Sequence, residues 1–185
     1  MSSTVLRRIC LVGVRGVGKT TLIRSILHAL PGIDHVVGSA VLRELAGPAF
    51  ARFDHLPADA KQRYREDAIS WMEERQRSEG KHILCDGHTA LLDESTGAVG
   101  AVFTARDCAF FRELVLLEAP VEVVLAHRRA DPSKRRSLVP EIVAAELSGE
   151  RETCRRIAEQ WGMRIFHLPP STDPATPTRL LEILS

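Results

Sequence analysis

Lysine is scarce in this chain of 185 residues: of its 25 basic side chains only Lys19, Lys61, Lys81 and Lys134 are lysines, and 21 are arginines. Surplus charge is also missing, because 24 acidic side chains leave a net charge of +1. A protein that coats nucleic acid needs many more cations than anions to neutralise phosphates, so no stable nucleic-acid binding is expected. No apolar run approaches the roughly 20 residues that span a bilayer, and no membrane partner is expected. The opening stretch MSSTVLRRICLVGV has no small-residue cleavage site after its apolar part, unlike a secretory leader. The four cysteines (Cys10, Cys85, Cys108 and Cys154) show neither CxxC spacing nor the density of a disulfide framework. These absences together predict a cytoplasmic protein. What remains, with 44% hydrophobic and 26% charged residues, is enough for a single domain over residues 1–185 that buries about 70% of its unfolded surface.

The pattern along the chain alternates short apolar runs with helical periodicity. Residues 8–12 form an apolar run ending in glycine, as a buried parallel strand does. Thr20 to Leu30 carries Leu22, Ile23, Ile26, Leu27 and Leu30 at helical spacing, and Pro31-Gly32 stops it. A weak second strand at residues 35–37 precedes a short helix at 40–45. Pro57 opens a longer helix to about Ser78, closed by Gly80. Residues 81–85, 114–118 and 163–168 read as further strands, and 122–129 and 140–160 as helices. The stretch 169–177 holds four prolines and reads as a linker before a short terminal helix. Strands separated by helices predict an α/β protein with a parallel sheet covered on both faces.

One motif is specific. Gly13-Val14-Arg15-Gly16-Val17-Gly18-Lys19-Thr20 satisfies every fixed position of the phosphate-binding P-loop, with a strand before it and a helix after it. Glycines let successive N–H groups turn toward phosphate oxygens, and the helix N-terminus adds its positive end to the same anion. This reading assigns residues 13, 15–21 (Gly13, Arg15, Gly16, Val17, Gly18, Lys19, Thr20, Thr21) to ATP, with Lys19 on the β- and γ-phosphates and the Thr20 hydroxyl on Mg²⁺. No NKxD string follows, as a GTPase would need to read guanine, and the chain is small for an AAA-type motor.

Asp86 ends a buried run where a parallel sheet delivers its ligands. It is a candidate for the Mg²⁺ shell or for the acceptor, and His88 is a second candidate on the acceptor. Arg43 stands alone on the short helix after the second strand. Residues 127–136 pack Arg128, Arg129, Lys134, Arg135 and Arg136 around an Asp-Pro turn without aromatic interleaving. A solvated face is the ordinary meaning of such a block. An arginine flap over a P-loop has a more specific use, because planar guanidinium groups bind transferring phosphoryl oxygens bidentately and closure excludes water. Arg151 follows on the next helix.

With these pieces in order, the chain resembles the nucleoside monophosphate kinases, most closely the archaeal-type adenylate kinases. The resemblance rests on GVRGVGKTT, on Asp86-Gly87-His88, on Leu56-Pro57-Ala58-Asp59, on Arg128-Arg129 with Arg135-Arg136, and on Glu150-Arg151. It implies a three-layer P-loop NTPase fold with a five-stranded parallel sheet, an acceptor-binding insert at about 38–80 and a short arginine-rich lid at about 127–140. It further implies ATP and Mg²⁺, AMP or another monophosphate as acceptor, and a monomer or small homo-oligomer. Arg43, His88, Arg135 and Arg136 would then hold the acceptor, while Lys19, Asp86, Arg128, Arg129 and Arg151 would act on the phosphoryl group. The pattern departs from that family after Asp86, where Gly87-His88-Thr89-Ala90 lacks an arginine, and over residues 91–112. A P-loop kinase for a hydroxyl of a non-nucleotide small molecule or nucleoside, and a nucleotide-responsive ATPase or switch, stay open beside it. In all the kinase readings Lys19→Ala abolishes nucleotide-dependent turnover; a coupled ADP-release assay showing wild-type rates in that variant would remove Lys19 from the chemistry.

Overall fold

The computed structural model describes residues 5–93, 96–134 and 136–185. Its elements in chain order are β1 (Arg8–Val12), α1 (Lys19–Ile26), β2 (Ile33–Val37), α2 (Gly38–Ala46), α3 (Ala58–Glu79), β3 (His82–Asp86), β4 (Ala90–Leu92), β5 (Val99–Ala101), α4 (Ala105–Phe110), β6 (Glu113–Leu117), α5 (Val121–Ala130), α6 (Pro140–Trp161), β7 (Arg164–Leu168) and α7 (Thr176–Leu184). The main sheet is all parallel in the order β2-β3-β1-β6-β7, and β4 and β5 form a separate antiparallel pair. This is the α/β fold with a five-stranded parallel sheet that the strand–helix alternation implies.

The sheet is covered on both faces because successive side chains of a strand point opposite ways. In β1, Ile9 and Leu11 pack with Leu22, Ile23 and Ile26 of α1, Val124 and Leu125 of α5, and Leu180 and Leu184 of α7. Cys10 and Val12 join the other layer, with Val41 of α2, Ala68, Ile69 and Met72 of α3, and Cys154, Ile157 and Ala158 of α6. All four cysteines are free and buried, and they serve there as small apolar residues.

Four stretches differ from the sequence reading. Residues 47–55, between α2 and α3, are 3₁₀-helical, and α4 is a six-residue helix set by a reciprocal cap between Thr104 and Asp107. Proline-rich residues 169–175 form turns whose hydrogen bonds lead directly into α7 (Asp173 N–H to Pro170 C=O, Thr176 N–H to Asp173 C=O). The fourth is the β4–β5 hairpin, too short to show a period of two. It is fastened to α6 at Gly149, where an added Cβ would lie 2.5 Å from Val99 Cγ1 and 2.9 Å from Val99 Cβ. The close approach needs glycine, since both backbones would have to part to admit a methyl group. Gly149→Ala is therefore expected to cost about 1–3 kcal/mol, read as a lower denaturation midpoint. Val99→Ala in the same chain should recover part of the loss, and two additive penalties would show that the contact is not the cause.

Candidate functional site

The P-loop turns between β1 and α1 with Gly16 at φ 88° and Gly18 at φ 108°, both in the region open to glycine. A Cβ on Gly18 would collide with Ser171, and one on Gly16 would lie 3.0 Å from Arg128 Cγ. The carbonyl side of this turn is held from behind, residue by residue. Lys19 Nζ donates to the carbonyls of Gly13 (2.6 Å) and Val14 (3.4 Å). Arg128 donates to Arg15 C=O through Nε (3.0 Å) and Nη2 (2.9 Å). His127 Nδ1 lies 2.9 Å from Gly16 C=O; a carbonyl only accepts, so this nitrogen carries the proton. Ser171 Oγ donates to Val17 C=O at 3.2 Å. No described residue takes the N–H groups of Arg15, Gly16 or Gly18, and α1 begins without a side-chain cap.

That arrangement fits a polyphosphate. Unpartnered N–H groups and an uncapped helix N-terminus are the donors an anion satisfies. The metal fit is comparable: Thr20 Oγ1 donates to Asp86 Oδ2 at 2.6 Å, and Asp86 Oδ1 lies 3.8 Å from Lys19 Nζ. A hydroxyl and one carboxylate are hard oxygen donors of the kind Mg²⁺ takes beside phosphate and water. Lys19 and Asp86 are both buried. Burial lowers the Lys19 ammonium below its ordinary range, against the opposing charges of Asp86 and Glu150.

The remaining candidates divide. Arg136 is half-buried, with Nη1 3.3 Å from where a Gly16 Cβ would sit. Burial lowers its guanidinium, and the neighbouring Arg128 and Arg15 act the same way while Asp131 and Glu146 oppose. Arg128 is buried and committed to the protein: besides Arg15 it donates to Ser137 C=O (2.9 Å) and pairs with Glu146 (2.8 Å). It thus ties the P-loop, the segment before α6 and α6 itself together. Arg129 is exposed, as is Thr21 on the first turn of α1. Arg43 is exposed and stacks over the Phe50 ring at 4.9 Å. Arg151 bonds Glu118, which His167 also contacts. Arg43 and Arg151 are thus engaged with other groups rather than with the P-loop. Arg135 lies outside the described residues.

Glu150, the neighbour of Arg151, is the residue that sequence reasoning missed. It is 1% exposed. Its Oε1 accepts from the N–H of Gly13 (3.1 Å) and of Thr89 (2.9 Å), and its Oε2 from Ala90 N–H (2.6 Å). Burial raises its carboxyl above the ordinary range, although the Thr89 and Ala90 N–H groups and the Lys19 charge pull it down. No local pattern in the α6 sequence could have signalled three donors supplied by two distant segments. His127 and Ser171 were equally illegible, being ordinary polar residues in a basic block and a turn.

His88 has a buried Nδ1 with no partner. Burial drives its imidazole well below the ordinary range, and Lys19 and Arg15 push the same way while the Gly13 backbone opposes. A cleft of about 530 Å³ opens beside the lid, between Arg136 and Ser137, the α6 residues Glu141, Ile142 and Ala145, and the hairpin residues Leu92 and Gly97.

A P-loop with its lysine, its threonine and an acidic strand end, on a sheet ordered β2-β3-β1-β6-β7, defines the P-loop kinase fold. The family model described as AAA domain matches residues 12–141, from the end of β1 through the lid into α6, and the chain belongs to that family. No curated protein matches the sequence. Among solved structures, the shikimate kinase of Bacteroides thetaiotaomicron superposes with a TM-score of 0.56 at 15% identity, over 96% of this chain and 98% of that one. The shikimate kinase of Acinetobacter baumannii, solved in complex with shikimate, gives 0.60 at 17% identity, over 97% and 93%. At these identities the likeness is one of fold.

The His88 environment carries a pH signature. The folded imidazole holds its proton more weakly than the unfolded one, so the unfolded chain binds the proton first as pH falls. The associated stability is present above the unfolded value of about 6.5 and is lost below it. His88→Asn should therefore lose less stability than wild type between pH 7.5 and pH 5.5. Parallel melting-temperature profiles for the two proteins would contradict a neutral buried imidazole.

Proposed function

We propose that this protein is an ATP-dependent phosphotransferase acting on a small molecule, with a hydroxyl as the accepting group. The observation that carries the reading is Asp86: a buried carboxylate at the end of β3, bonded to the P-loop threonine and next to the P-loop lysine. ATP with Mg²⁺ supplies the transferable γ-phosphoryl group and charge neutralisation. Thr20 and Asp86 hold the cation's oxygen shell, and Asp86 accepts the proton of the attacking hydroxyl. Lys19 exchanges the Gly13 carbonyl for phosphate oxygens, and Arg136 and Arg129 offer guanidinium groups from the lid. His88, neutral and unpaired at Nδ1, takes a hydrogen bond from the acceptor.

A hydroxyl acceptor is favoured over a monophosphate by what the arginines do. A second phosphate would want its own bidentate cations, yet Arg43 stacks on Phe50, Arg151 is on Glu118, and the segment after Asp86 supplies none. The structural neighbours named for shikimate support the same choice, since their acceptor is a small hydroxy acid. A nucleoside monophosphate is the second reading, favoured by the cluster of Arg15, Arg128 and Arg136 at the P-loop.

A grid of ATP and GTP against small hydroxy acids, polyols, nucleosides and nucleoside monophosphates decides between them. ADP release should depend on a hydroxyl acceptor, and Asp86→Asn should lower kcat on it by about 10²–10⁴-fold. Turnover confined to monophosphates would establish the second reading, and acceptor-independent hydrolysis would remove both.

A further inference from the structure

Beyond Leu11 and Asp86 the paired strands β1 and β3 part. The last bond between them is Gly87 N–H to Leu11 C=O, after which one chain enters the P-loop and the other runs through His88 to the hairpin. Glu150 sits in this fork. Its carboxylate takes the first N–H of the P-loop on one side and two successive N–H groups of the other branch on the second, while its own carbonyl accepts from Thr89 Oγ1 at 3.3 Å. Filling the fork with an apolar side chain would leave three buried N–H groups without an acceptor, which is costly. A charged group is tolerated there because every contact it makes is a donor. The next residue back, Gly149, seats the hairpin against α6. One turn of α6 therefore grips the P-loop, the His88 branch and the hairpin.

We propose that Glu150 is a positioning residue that fixes the P-loop relative to the segment from Asp86 to Ala90, so that filling the P-loop is registered at Thr89 and Ala90. It touches neither phosphate nor acceptor; it acts through Gly13 on one side and through the His88 branch on the other. Lys19 bonds the carbonyl of Gly13, the residue whose N–H Glu150 holds. When Lys19 turns to phosphate, the Gly13 carbonyl loses that donor and keeps its contact with His88, while its N–H stays tied to Glu150. That tether passes the change to Thr89, which shares the same carboxylate oxygen, Oε1. The inference rests on the reading of the P-loop as a nucleotide site.

The test is amide hydrogen exchange on the whole chain with and without ADP·Mg²⁺, together with calorimetric ADP affinity. In wild type, ADP should slow exchange at Thr89 and Ala90 as well as in the P-loop. Glu150→Gln retains Oε1 as an acceptor but turns an NH₂ group toward one of the donors. It should remain folded, weaken ADP by about ten-fold, the equivalent of one charge-assisted hydrogen bond, and lose the ADP-dependent protection at Thr89 and Ala90. Glu150→Asp, which keeps the charge on a shorter stem, should recover part of both. A general loss of packing would instead raise exchange throughout α6 with or without ADP, and that outcome overturns the proposal. Should Glu150→Gln not fold, wild type alone decides: ADP bound with no change at Thr89 and Ala90 also overturns it, while leaving the nucleotide reading intact. Failure of wild type to bind ADP would remove the nucleotide reading and this inference with it.

Discussion

A backbone turn that is to bind phosphate must keep its N–H groups unsatisfied, and the rest of this protein is arranged around that demand. Buried polar backbone left without partners is costly, so the turn is stable only if its carbonyls are held elsewhere. Here four donors come from three directions: Lys19 from α1, His127 and Arg128 from α5, and Ser171 from the turns before α7. These elements flank the carboxyl ends of the central strands, where β1 lies between β3 and β6. The sheet order is thus a condition of the binding site as well as a packing solution.

The same demand explains how the charges are used. Near neutrality overall hides a dense local arrangement in which Lys19, Arg15, Arg128 and Arg136 gather at the P-loop, opposed by Asp86, Glu146 and Glu150. Arginine is suited to the Arg128 position because a rigid fork can reach two carbonyls and a carboxylate at once, whereas an ammonium on a flexible stem would not hold that geometry. Its donors secure the loop and the lid, which makes it an organiser of the site. Arg136 is half-buried beside Gly16, and among the described residues no side chain or carbonyl accepts from it. Elsewhere arginine does surface work, as in the pairs of Arg155 with Glu152 and Glu159 and of Arg77 with Glu74, where exposed ion pairs contribute little.

The segment beyond β3 has its own construction. After Asp86 it runs through His88 into a two-stranded hairpin seated on α6, and the cleft between the hairpin, residues 136–137 and α6 is lined by Leu92, Ile142 and Ala145 together with Arg136 and Glu141. Arg43, which the resemblance to monophosphate kinases would place on the acceptor phosphate, stacks on Phe50, and Arg151, which it would place on the transferring group, is held by Glu118. The described site thus brings together one anion-binding turn, one carboxylate and a neutral imidazole, the three groups on which the proposed hydroxyl acceptor rests.

Local chemistry in the sequence determined the P-loop, the strand that ends at Asp86, the two long helices and the α/β class. Each depends on residues adjacent in the chain: glycines that permit the turn, apolar periodicity, a proline to open a helix and a glycine to close it. Thr20 and Asp86, both named from the sequence, are brought to 2.6 Å by the pairing of β1 with β3. Only the tertiary structure decided that Glu150 rather than Arg151 faces the P-loop, that Arg128 braces the turn, that His127 and Ser171 complete it, and that residues 90–101 make a hairpin. Neighbours on a helix point about 100° apart, so position in the chain cannot say which of two adjacent charges is buried. That is settled by donors arriving from segments 60 and more residues away.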